Sequence, residues 1–99
     1  MTPGEKDSSF RADKAVMSAI RHFPRFELTI RRMIKTNNAF QEVCEELAEA
    51  ECALSRADSL PAPLRDLRRE EWEEMVNRLV GEVWEEIRRD AVSRGISMP

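Results

Sequence analysis

Between Leu64 and Ala91 the chain carries apolar residues at helical spacing with no proline to interrupt them. No other feature constrains the fold as much. Leu64, Trp72, Met75, Val76, Leu79, Val80, Val83, Trp84, Ile87 and Ala91 are the apolar positions of that run. At 100° per residue, those from Leu64 to Trp84 fan over roughly 200°. A helix packed against one neighbour needs an apolar stripe of only about 100°. The segment therefore needs protein on two sides, from its own chain or from a second copy. Trp72 and Trp84 bound the broad face, and tryptophan is enriched where interfaces concentrate their energy. With Val76, Val80 and Ile87 they form the candidate interface, most simply that of a homodimer, otherwise a contact with another protein.

Composition points to helices throughout. Hydrophobic residues are 41% and charged residues 35% of the 99 positions, a balance that suits apolar stripes inside and charges outside. There are three glycines and no tyrosine, and β-branched residues are scattered, so neither turn glycines nor strand-like runs are present. The expected fold is all-α, one domain over residues 9–95, with residues 1–8 as a flexible tail.

Ser9 is suited to cap a first helix, in which Ala12, Val16, Ala19, Ile20 and Phe23 share a face. Phe23-Pro24 ends it, since proline disfavours helical geometry in the residue before it and fits the first turn of the next helix. A second helix over 24–36 buries Phe26, Ile30, Met33 and Ile34. Asn37-Asn38 breaks the chain, one asparagine tolerating a left-handed exit and Asn38 capping the next start. A third helix over 38–57 carries Phe40, Val43, Cys44, Leu47, Ala48 and Leu54 on one face. Pro61 and Pro63 make the following loop, and Gly95 supplies the final stop. The helices over 38–57 and 64–91 should fold as an antiparallel hairpin, with the two shorter N-terminal helices packed across it. At about 42 Å against about 30 Å, the last helix overhangs its partner.

Net charge is −3. Residues 11–35 hold a net +5 and residues 36–64 a net −5, a match expected between neighbouring helices packed together. Cys44 and Cys52 lie eight residues apart on one helix, about 12 Å along the axis, too far for a disulfide between them. Free thiols suit a reducing, cytoplasmic setting. No apolar run reaches the length of a membrane span, and the N-terminal residues lack the order of a signal peptide.

The search for chemistry finds none. His22 is the one histidine, and no acid, serine or thiol is spaced to select it as a partner. No clustered Cys and His ligands exist for a metal, and no glycine-rich loop for a phosphate. The glutamate pairs lack the Glu-x-x-His signature of di-iron bundles. Acidic balance argues against nucleic acid. The expectation is a non-enzymatic module with no catalytic, cofactor-binding or metal residues. Its alternative is a small-ligand or redox sensor with a cavity between the helices, using Cys44 or His22. Glu51 is the exception to the pattern, since it projects near the centre of the third helix's apolar stripe. A carboxylate there needs a cation, for which Arg31 or Arg32 is the expected source; otherwise it reaches water near the helix end.

The stretch from His22 to Leu54 resembles a group of small uncharacterised bacterial helical proteins. The residues that carry it are His22-Phe23-Pro24, Ile30-Arg31-Arg32-Met33, and Phe40-x-x-Val43-Cys44-Glu45-Glu46. The resemblance implies a helical hairpin and no particular chemistry. It also implies an apolar residue where this chain has Glu51.

Overall fold

The computed structural model describes residues 3–95, with side-chain surroundings for 12–95. The protein is all-α. It runs α1 (Pro3–His22), a short 3-10 turn (Pro24–Phe26), α2 (Glu27–Thr36), α3 (Asn38–Ala57) and α4 (Ala62–Ser93). The long hairpin is present as expected, α3 lying along α4 with α1 packed on the other side of α3. The helices form a slab of 49 × 43 × 19 Å with a radius of gyration of 15.3 Å, against about 13 Å for a compact domain of this length.

The first helix begins at Pro3 rather than at Ser9. Proline is favourable in the opening turn, where its missing N–H has no intrahelical partner to lose. Residues 1 and 2 of the expected tail lie outside the described residues. The boundary at Phe23 holds, and the turn after it is tightened to 3-10 form before α2 continues.

Asn37, not Asn38, caps α3. Its backbone is extended, with φ −134° and ψ 103°, and its side-chain oxygen accepts from the Phe40 N–H at 3.0 Å. Its own N–H donates to the Met33 carbonyl at 2.8 Å, so the same residue also closes α2. One extended asparagine thus does both tasks, and no left-handed exit is needed. Gln41 donates to Glu45 instead of reaching back to the cap.

At the other hairpin end, α4 starts at Ala62, so Pro63 sits inside its first turn, where proline is tolerated. Gly95 adopts φ +74° just past the last turn, the left-handed geometry that glycine takes without strain.

The core joins all four helices. Ile30, Met33, Phe40, Leu47, Leu79, Val83 and Ile87 are essentially inaccessible to water. Ala15, Ser18 and Ala19 are equally buried on α1. These three small side chains let α1 approach α3 closely. The C-terminal overhang of α4 is reached by side chains of the 3-10 turn and α2, with a groove of about 450 Å³ left between α2 and α4. Arg32 Nη2 is 2.6 Å from Asp90 Oδ2, and Phe26 meets Trp84. The Leu64 and Leu67 side chains at the opposite end are exposed.

Replacing Asn37 with alanine removes the cap shared by two helices. The expected loss is about 1 kcal/mol of folding free energy in urea denaturation, while Asn38→Ala leaves stability within about 0.5 kcal/mol.

Candidate functional site

The broad apolar face of α4 divides into a covered and a half-covered part. Leu79, Val83, Ile87 and Ala91 form the buried line. Ile87 is wholly inside the chain's own core, so it is not available to a partner, contrary to its place in the expected interface. At four-residue steps this line turns about 40° each time around α4, and Ile87 lies on it.

Trp84 is half-covered by its own chain. Its ring stacks on Phe23, with centroids 5.7 Å apart and planes 22° apart. Phe26 meets it edge-on at 5.6 Å. The short turn between α1 and α2 therefore builds an aromatic clasp on α4, each such pair contributing about 0.5–1.5 kcal/mol beyond its buried area. Trp72, Val76 and Val80 pack against the core and are partly, not fully, buried. They follow one another at intervals of four along a single strip of α4. Of the five residues expected at an interface, these three are the ones left open, with Trp84 at the edge of the strip.

Glu51 occupies a polar joint between α1 and α3. The Ser18 hydroxyl donates to its Oε1. Arg21 Nη2 lies 3.3 Å from the same oxygen, and His22 Nε2 lies 3.0 Å from Oε2. Its side chain is 24% exposed, so it is at the rim of the core and not at its centre. The cations expected for it are elsewhere. Arg31 pairs with Glu27 one turn away at 3.0 Å, and Arg32 pairs with Asp90. α1 and not α2 passes over this part of α3, which brings Arg21 and His22 within reach. Ser18 is fully buried, and its hydroxyl donates to the Glu51 carboxylate while accepting from Arg21 Nη2 at 3.3 Å.

Among the described residues no cluster of three or more potential metal-ligating side chains is found. Cys44 is enclosed in the core, where burial first and then the Glu45 carboxylate push its thiol up to about 12. Such a thiol is almost wholly protonated at neutral pH and is a poor nucleophile. Cys52 is partly exposed and lines a groove of about 460 Å³ between α1 and α3. Met17, Ala48 and Glu51 are among its neighbours there, but neither Cys44 nor His22 lines that groove.

Compared with known proteins, the chain matches no family model, no curated protein and no solved structure.

Two outcomes follow from this geometry. Glu51→Leu strands the Ser18 hydroxyl and should cost about 1–3 kcal/mol in thermal or urea denaturation. Adding Ser18→Ala should recover part of that loss. No change in the single variant would mean the joint is only a solvated surface contact. For the thiols, a disulfide reagent at pH 8 should titrate one cysteine, Cys52, in the folded chain and both in denaturant. Two rapidly reacting thiols in the folded chain would contradict the burial of Cys44.

Proposed function

We propose that this chain is a non-enzymatic helical protein–protein interaction module that self-associates as a homodimer through α4. The open strip of Trp72, Val76 and Val80, with Trp84 at its edge, is the surface that a second copy covers. One observation carries this reading: the apolar face of α4 is broader than a single neighbour needs, and Trp72, Val76 and Val80 along it are only partly buried by the chain's own core.

The shape supports the same reading. The chain exposes 6976 Å², whereas a compact monomer of its mass exposes about 5,800 Å². A slab 19 Å thick has two broad faces and little interior, and pairing two slabs thickens the core without altering either chain.

The acidic balance favours protein over nucleic acid as the partner. Among the described residues no helix is long and apolar enough to cross a membrane. The free thiols of Cys44 and Cys52 suit work in the cytoplasm. In this reading the chain is a helical-hairpin protein of the small bacterial kind that its His22–Leu54 stretch resembles.

Light scattering after size exclusion tests the dimer. The expected mass is at least twice 11.5 kDa at high concentration, falling toward that of one chain on dilution. Val76→Glu places an unpaired carboxylate in the dry centre of the contact and should weaken the dimer by about 3 kcal/mol, with the helical circular dichroism unchanged. A chain that stays monomeric at millimolar concentration removes the proposal.

A further inference from the structure

A second surface runs along the seam between α3 and α4, sharing Glu46 and Arg78 with the hollow beside Trp72. A groove of about 660 Å³ runs between α3 and α4, lined by residues of those two helices alone. Its floor includes Ala39, Val43 and Gly81. Glycine weakens a helix interior, so it is kept where something must come close. Nothing in the chain lies within 4 Å of where a Gly81 side chain would begin, so no part of this chain needs the glycine. Glu42, Glu46 and Glu82 stand along the walls. None of the three makes an ion pair among the described residues. Arg78, Arg89, Glu85 and Glu86 complete the walls, and Arg89 is already held by Glu86 at 2.7 Å. The groove is thus apolar at its base and negatively charged at its rim.

The complementary shape is on the same chain. Leu28 of α2 is 83% exposed, more than any other large apolar side chain described. Ile30, Met33 and Ile34 take the inner face of α2, and Leu28 stands exposed at the rim of a groove of about 450 Å³ between α2 and the end of α4. Arg25 precedes it by three residues, and Arg31 and Lys35 follow at three and seven, so cations flank the leucine along one face. Arg25 and Lys35 make no ion pair among the described residues. The fit extends to length. α2 has 10 residues, about 15 Å of helix, and the groove wall from Arg78 to Arg89 spans about 16 Å.

We propose that the basic face formed by the Pro24–Phe26 turn and α2, with Leu28 near its start, docks into the acidic α3–α4 groove of a second copy. Leu28 covers the Ala39–Val43–Gly81 floor, and Arg25 and Lys35 meet the carboxylates of Glu42, Glu46 and Glu82. The two surfaces are different patches of one chain, so the contact is head-to-tail and adds copies beyond a symmetric dimer. It goes beyond the pairing through Trp72, Val76 and Val80 and uses none of those side chains.

Charge exchange between two variants tests it. Every chain carries Val76→Glu, which removes the α4 pairing and leaves the groove contact to be read alone. The first variant adds Arg25→Glu and Lys35→Glu; the second adds Glu46→Lys and Glu82→Lys. All four positions are at the surface or rim, and circular dichroism checks that the helices persist. Sedimentation velocity of the Val76→Glu chain should show growth with concentration, weakened about tenfold between 0.05 and 0.5 M salt as the charges are screened. Each charge variant alone should sediment as a monomer, and an equimolar mixture should regain the larger species. Leu28→Glu in the Val76→Glu chain should abolish growth without changing the net sign of the groove. The proposal is overturned if the Val76→Glu chain never grows, if either variant alone assembles like it, or if the mixture stays monomeric. Capture of a foreign basic helix by the groove in an otherwise monomeric chain would likewise replace the second copy as occupant.

Discussion

Helix α4 has 32 residues and its hairpin partner α3 has 20, about 48 Å against about 30 Å of rod. No antiparallel pairing can match them end to end, and the rest of the architecture answers that mismatch. At the C-terminal end the chain supplies α2 and the Phe23–Phe26 turn, which clasp Trp84 and anchor Asp90 through Arg32. At the hairpin end, Leu64 and Leu67 of the opening turns keep their side chains exposed. Between the two, the stripe is wider than α3 can cover. Trp72, Val76 and Val80 are consequently half in and half out of the core. Their exposure is a consequence of length and breadth together, and neither alone would produce it.

The same constraint explains the flatness of the molecule. α1 reaches the hairpin across α3 and hardly touches α4. Its contact is made close by Ala15, Ser18 and Ala19, which contribute little apolar area. A seam of small residues gains stability from proximity, so a polar joint beside it matters more than it would in a thick core. Ser18, Arg21 and His22 converge on Glu51 there. Breaking the joint would leave a buried hydroxyl unsatisfied, and that cost falls on the α1–α3 alignment in particular.

Much of the helical order was legible in the residues because it depends on local pattern. The Phe23-Pro24 boundary, the asparagine break, the Pro61–Pro63 loop and the Gly95 stop are all encoded within a few positions. What escaped was register between helices. Nothing within α3 says which cation will sit opposite Glu51, and the nearer basic cluster in sequence, Arg31 and Arg32, was spent on Glu27 and Asp90. Ile87 looked like interface because the width of a stripe does not say which edge the chain's own helices will take. Trp84 found its partners in Phe23 and Phe26, which sit at a helix boundary where periodicity carries no information. The choice between Asn37 and Asn38 as cap was decided by backbone geometry, extended at Asn37, and either residue type fits the pattern.

The functional reading rests on the strip left over once the chain has satisfied itself, and Trp72 is the group best placed to report on it. With Trp84 replaced by phenylalanine, Trp72 is the sole tryptophan, and its fluorescence can be followed across a dilution series. If a second copy covers the strip, its emission should shift to shorter wavelength and its quenching by acrylamide should fall as concentration rises, both saturating together. An emission maximum and quenching constant that stay the same from micromolar to millimolar chain would mean that water, and not protein, faces that side of α4.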